Sequence, residues 1–450
     1  MVGKILGWVK ANLLVVIFTV VTVVMLPGAF IASQQWNTKI QSTAKAEFDK
    51  LDRELDGASR ETYSLPAVFG GEQTISQTRA PNAAVTSFFK TKREDRTRQV
   101  SAVVESAVDR NEGEHEVLMP ELLPNQADPR RRERLSDDFA KMILGEGNQA
   151  SVYKRMLDRI NAGEPVDPGE IAAVVGDYSQ QETERMLNPG ASTSGTAPAM
   201  TAEQSEALSE RLVQRRLWVL NQRASDVSVF AGPEAILAPA GDPSVSQAPL
   251  TGIAKVPAED LYRWQWDLWV VEDILGAVAR ANTDATGPTG VPDSVVKRID
   301  RILVQRPNFK VAGDVSEDED SGGYSSPSGT PGGGLWSGSH TGRLEASPDG
   351  MDVRMVRLEL VVSTERLPRL FQALGEQNFM TVTSVKLQDY DAWEDLKQGY
   401  YYGPEHVSKA VIDVETVWLR EWTKHAMPDE LREKLGIARV DEAANGEDEG

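Results

Sequence analysis

The chain has 450 residues, 40% of them hydrophobic, with 48 Lys and Arg against 68 Asp and Glu for a net charge of −20, and no cysteine. Length and apolar content suffice for two or three domains with real cores. The charge argues against nucleic acid or anionic lipid as the main partner, because phosphates would be repelled over most of the surface. The missing cysteines exclude disulfide staples, thiol chemistry and Cys-ligated metal.

Ala11 to Thr38 carries no charge, and Leu13 to Ala32 has only Thr19 and Thr22 as polar side chains. Twenty such residues at ~1.5 Å each cover the ~30 Å core of a bilayer. Trp8 and Trp36 flank the run at the depth indoles prefer. A transmembrane helix is expected over 12–33. A cleaved signal peptide competes, with Lys4 and Lys10 as its basic start, but Ala-Phe-Ile-Ala-Ser-Gln after Pro27-Gly28 lacks the small-residue spacing of a cleavage site. The two lysines on the short flank place residues 1–11 in the cytoplasm and the bulk outside, as in an inner-membrane protein with a periplasmic body.

A membrane-proximal amphipathic helix is expected over 34–62. Ala44, Phe48, Leu51, Leu55 and Ala58 fall at spacings of four, three, four and three, an apolar seam of two heptads. The seam suits a partner helix, and it equally suits folding back on its own domain. Residues 64–82, with Pro66, Gly70, Gly71 and Pro81, read as a loop.

Residues 82–223 read as a helical segment: Asn82–Arg110, Asp128–Gly145, Ala150–Asn161 and Thr201–Arg223, separated by prolines that include Pro165 and Pro168. Arg130, Arg131, Arg132 and Arg134 form the one basic cluster; they could dock an acidic surface or cap and solvate the helix beginning at Asp128.

Asp226–Ala231 alternates weakly as a strand. Asp260–Asn282 is the clearest helix, with Leu261, Trp264, Leu268, Val271, Leu275 and Val278 on one stripe. Ser294–Gln305 suits either a helix or a strand. Residues 313–350 are a Gly/Ser-rich insertion. Val356, Leu358, Leu360 and Val362 form one face of a strand; Thr364 then caps a short helix with Leu367, Leu370, Phe371 and Leu374, closed by Gly375. Met380–Asp389 is a strand, and Ala410, Ile412, Val414, Thr416 and Trp418 alternate in the last one. Residues 425–450 read as an acidic tail. Two successive βαβ units on one sheet make a ferredoxin-like split βαβ domain over 225–424 with an added strand. Its open face and edges would be free for subunits. The fold class is therefore α+β.

No segment carries a nucleotide-binding or nucleophile-elbow motif, and His115, His340, His406 and His425 have no paired spacing. Glu112, Glu114, His115 and Glu116 are too close in sequence to converge on a metal. Asp314 and Glu317 to Asp320 miss calcium-loop spacing. No catalytic, cofactor or metal residues are expected. Tyr400, Tyr401 and Tyr402 could be a contact patch at a sheet edge or part of a core.

A short cytoplasmic start, one spanning helix, a membrane-proximal helix and a ferredoxin-like domain together resemble the PilO family of type IV pilus assembly proteins and the related M-type proteins of type II secretion. The resemblance covers the anchor and residues 225–422: Leu-Glu-Leu-Val-Val-Ser, Leu-Pro-Arg-Leu-Phe-Gln-Ala-Leu, Phe-Met-Thr-Val-Thr-Ser-Val-Lys-Leu, and Tyr402, Gly403, Glu405 and Val407 at the opening of the last strand. It implies a non-enzymatic scaffold that forms a homodimer, or a heterodimer with a similar bitopic protein, and contacts other platform components. A membrane-anchored envelope-binding or ligand-sensing module is the alternative.

Overall fold

The computed structural model describes residues 2–67, 74–80, 82–126, 128–187, 200–239, 241–249, 256–307, 309 and 350–440. Two compact units divide the chain, Met1–Ser106 and Ala107–Gly450.

The first unit opens with helices α1 (Val2–Ala11) and α2 (Leu13–Ser59). The expected transmembrane and membrane-proximal helices are one continuous helix, because nothing after Gly28 interrupts the backbone ladder. Pro27 lies inside it and costs one ladder bond. Thr19 and Thr22 hydroxyls donate to the Val15 and Phe18 carbonyls at 2.7 Å each, so neither needs a partner from outside the helix. The apolar end of α2 is long enough to cross a membrane and is not buried by the protein. A hairpin of β1 (Thr62–Leu65) and β2 (Ile75–Thr78) follows, where a loop was expected. Tyr63 of β1 stacks at 5.0 Å on Phe89 of α3 (Ala83–Glu112). The chain passes from the first unit to the second within α3.

In the second unit, α4 (Pro129–Leu144), α5 (Val152–Arg159) and α7 (Ala202–Asp226) fall where periodicity placed them. Helix α6 (Pro168–Leu187) and the one-turn helix α8 (Glu234–Leu237) were not expected. Pro168 reads as a breaker, yet it opens the helix at the first position, where its missing N–H costs nothing, while the Asp167 carboxylate accepts from Gly169 N at 2.7 Å. Within the second unit this helical part shares one core with the sheet, through Leu122, Leu123, Phe139, Ile143 and Leu157.

One six-stranded mixed sheet runs β3-β4-β7-β8-β10-β9, from β3 (Ala162–Gly163) and β4 (Val229–Phe230) through β7 (Val296–Val304), β8 (Met351–Ser363) and β10 (Val407–Leu419) to β9 (Met380–Asp389). A two-residue hairpin, β5 (Thr283–Asp284) with β6 (Gly287–Pro288), precedes β7. The first three strands run parallel; β7, β8, β10 and β9 are mutually antiparallel neighbours. Thus β8 and β9, joined by α10 (Leu367–Gln377), flank β10, whereas β4 pairs directly with β7 across α9 (Ala258–Ala281). The ambiguous segment is strand β7. Thr364 caps nothing; its hydroxyl lies 2.8 Å from Ser408 Oγ, and α10 runs past Gly375.

Val356, Leu358, Leu360 and Val362 of β8 and Ala410, Ile412 and Val414 of β10 pack with α9 and α10 in the main core. The opposite sheet face carries charge pairs, Arg357–Asp413 at 2.6 Å and Lys409 at 3.4 Å from Asp300 and 3.3 Å from Glu359, and beside them a smaller buried apolar cluster that includes Val361 and Val407. Beyond the last strand, Ala426, Met427 and Leu431 are buried, and Leu435 and Ile437 pack against them, so the start of the expected acidic tail is part of the core. Residues 441–450 and 310–349, with most of the insertion and its acidic loop, lie outside the described residues.

Candidate functional site

Three places hold the residues that sequence or packing singles out. The first is α2. At ~1.5 Å per residue its 47 residues extend ~70 Å, some ~40 Å more than a bilayer core requires. On that outer part Phe48, Leu51 and Leu55 are 68%, 64% and 71% exposed. Ala44 shares the face and is exposed too. The charges around them pair locally, Lys50 with Glu54 at 3.9 Å and Arg60 with Asp56 at 3.3 Å. The seam is therefore apolar, helical and uncovered by this chain.

The second place is the tyrosine cluster. Tyr402 is buried and packs with Phe230, Val361 and Val407 on the sheet face away from α9 and α10. Its hydroxyl donates to Asp395 Oδ2 at 2.5 Å, and Arg298 Nη1 reaches the same carboxylate oxygen at 2.8 Å. Burial pushes the Tyr402 hydroxyl above its ordinary range, against the pull of Arg298 and with the support of Asp395. Tyr400 meets Phe230 edge-on at 5.2 Å and carries Arg298 at 4.6 Å over its ring. Tyr401 is half-buried against this cluster. Packing occupies all three tyrosines. Next to them Gly403 adopts φ +86°, and a Cβ there would lie 2.8 Å from the Pro292 carbonyl oxygen. Glu405 pairs with Arg366 and lies 3.5 Å from the fully buried Lys297. Lys297 Nζ donates to the carbonyls of Val291 and Pro292 at 2.9 and 2.7 Å. Burial pushes this lysine down to about 8, helped by Arg366 and opposed by Glu405.

The third place, in the second unit, is a polar network where α3 ends. Asn111 is fully buried and makes four side-chain bonds. Its Nδ2 donates to Asn378 Oδ1 and the Val417 carbonyl, both at 2.9 Å. Its Oδ1 accepts from Leu419 N and Trp422 Nε1, both at 2.7 Å. Asn378 passes the network on to Asp273 Oδ2 at 2.8 Å, and Asp273 Oδ1 lies 3.2 Å from His115 Nε2. His115 stacks on Trp422 at 5.6 Å with Trp418 and Trp269 around it. Burial alone would lower the His115 pKa; the hydrogen bond and charge of Asp273, with Glu272 behind it, outweigh burial and raise it. His115 and Asp273 lie in a cleft of ≈ 420 Å³ that Arg110, Arg159, Arg280 and Met156 also line.

No protein-family model matches the chain, and neither does any curated protein. A crystal structure of a protein from Akkermansia muciniphila aligns with 65% of this chain and 96% of its own at 10% identity. The TM-score is 0.20, and at that score nothing about this chain follows from the likeness.

Asn111 and Asp273 carry no sequence signal. Each is one polar residue on a helix, and only tertiary structure distinguishes a buried hub from a solvated side chain. Glu112, Glu114, His115 and Glu116 do not converge, and no group of three His, Asp or Glu able to hold a metal occurs among the described residues. In the basic cluster Arg131 pairs with Glu121 and Arg132 lies 3.7 Å from Glu430, while Asp128 caps α4 by accepting from the backbone N of Arg130 at 3.0 Å.

Proposed function

We propose that the chain is a non-enzymatic bitopic scaffold of a type IV pilus or type II secretion-like assembly platform, acting through protein–protein contacts. Its N-terminus would be cytoplasmic and its bulk periplasmic at the inner membrane, with the seam of α2 pairing with a second copy or with a similar bitopic protein. The observation that carries this reading is the seam itself, Phe48, Leu51 and Leu55 exposed together on a helix continuous with the apolar span.

The sheet adds support. Strands β7-β8-β10-β9 with α9 and α10 on one face follow the ferredoxin-like order, provided the second helix–strand pair of that fold is moved ahead of β8. On that reading the connection β8-α10-β9 would be its split βαβ unit, with β3 and β4 as additions beside β7.

The chain has no cysteine, so introduced thiols report without background. In native membranes Leu51→Cys and Leu55→Cys are expected to form disulfide-linked dimers or adducts with one discrete envelope protein, while Asp52→Cys, off the seam, is not. Equal cross-linking at all three positions, or none at Leu51 and Leu55, would refute the seam as an interface.

A further inference from the structure

The cleft at the end of α3 holds cations that the fold only partly uses. Arg159 is paired with Glu272 at 3.0 Å. Arg110 gives Nη2 to the carbonyls of Gly375 and Glu376 at 2.8 and 3.3 Å, and lies over the Phe379 ring. Arg280 gives Nη2 to Gln377 Oε1 at 3.2 Å. Neither Arg110 nor Arg280 has a carboxylate within ion-pairing distance among the described residues. A guanidinium carries five N–H donors, so capping the end of α10 uses one nitrogen of Arg110 and leaves the rest.

The carboxylates of the cleft are committed differently. Asp273 is buried and already bound by His115 and Asn378, and Glu272 is taken by Arg159; Glu114 is exposed. The buried His115–Asp273 pair supplies a rigid polar boundary more than free charge. Met156 and Leu275, both buried, supply apolar wall. A volume of ≈ 420 Å³ falls in the range of small-molecule sites, about 300–1,000 Å³. In a chain of net charge −20, a general field would repel anions, so attraction here must be local, from concave walls holding donors close together.

We infer that this cleft binds a small amphipathic anion, its carboxylate or phosphate head between Arg110 and Arg280 and its apolar body against Met156 and Leu275. The site is independent of the scaffold reading and of the α2 seam.

The test is calorimetric titration of the full-length chain in zwitterionic nanodiscs with butyl phosphate, butyrate and butanol. Saturable binding of one or both anions is expected, with none for butanol, and the tighter anion identifies the head group. His115 ring resonances should shift in a parallel NMR titration, since that ring lines the cleft. Arg110→Gln/Arg280→Gln should weaken binding by about tenfold or more. Arg280→Gln alone, which gives up a single bond to Gln377, covers the case in which the double variant unfolds. The inference is overturned if neither anion saturates by about 10 mM, if butanol binds equally, or if a folded variant binds as tightly as the parent chain.

Discussion

Asn111→Ala is the sharpest probe of the core that receives α3. The substitution leaves the Leu419 N–H and Trp422 Nε1–H with no acceptor, and removes one donor each from Asn378 Oδ1 and the Val417 carbonyl. A buried donor stripped of its partner costs ~1–3 kcal/mol, and two donors are stripped outright. The two acceptors lose less, since a carbonyl oxygen has a second lone pair and Asn378 Oδ1 still accepts from Phe379 N at 2.8 Å. The expected loss is about 3–4 kcal/mol, a large share of a stability of ~5–15 kcal/mol. Guanidinium unfolding of the full-length chain in detergent, followed by tryptophan fluorescence, measures it. Asn125→Ala is the control, an exposed residue bonded to Asp429 at 2.8 Å, with an expected effect of about 0.5 kcal/mol. If Asn111→Ala loses under about 1 kcal/mol, the network is not the clamp its geometry describes.

Other expectations concern titration and backbone. The raised pKa of His115 means the folded chain favours its charged form. That contribution is complete below the unfolded value of about 6.5 and fades as pH rises through the higher folded value, so stability should fall over that window and His115→Gln should flatten the slope. Lys297 has the opposite sign: its pKa drops from 10.5 to about 8, the unfolded chain binds more protons between these values, and stability should rise with pH across them. Lys297→Met should abolish the rise in the same pH-resolved unfolding series. Gly403→Ala places a side chain at φ +86° against a carbonyl and should cost about 2 kcal/mol by denaturant midpoint; an unchanged midpoint would mean that the turn relaxes freely.

Sequence periodicity located elements well where packing is local. Helix α9 spans Ala258–Ala281 as its three-four stripe predicts, and β9 runs Met380–Asp389, the expected limits. It failed where meaning depends on distant partners. Gln265, Asp267 and Asp273 of α9 look solvated in the sequence, yet they are buried because the fold covers the helix everywhere but along its Glu272–Gly276–Arg280 edge. Gln265 Nε2 and Trp269 Nε1 both donate to the Glu116 carbonyl, at 3.1 and 2.9 Å, a contact across about 150 residues that no window can contain. Strand order was equally illegible: β10 slots between β8 and β9 though it follows both, and the two-residue strands β3 and β4 are too short to alternate. The hairpin of β1 and β2 was hidden by Gly70 and Gly71 between two four-residue strands.

The contrast between α9 and α2 sets how strong an α2 pairing can be. Both carry three-four apolar stripes, but α9 is covered by this chain, and the outer part of α2 is not. Burying Phe48, Leu51 and Leu55 contributes ~1.5–3 kcal/mol each when complete; a two-helix seam covers about half of each of the six side chains of a pair, a gross gain of roughly 5–9 kcal/mol. Free association in solution costs ~4–15 kcal/mol in lost translational and rotational freedom. Two heptads alone therefore fall near or short of the threshold. Confinement by the apolar segment in a membrane would change the balance, because two chains in one bilayer meet already oriented and at high effective concentration. The full-length chain in membranes should thus associate through the seam, and Leu51→Asp should weaken that association. A fragment without the span, at micromolar concentration in ultracentrifugation, should remain largely monomeric. Tight dimerisation of that fragment, undiminished by Leu51→Asp, would move the interface away from α2, with the unpaired edge of β9 the next surface to test.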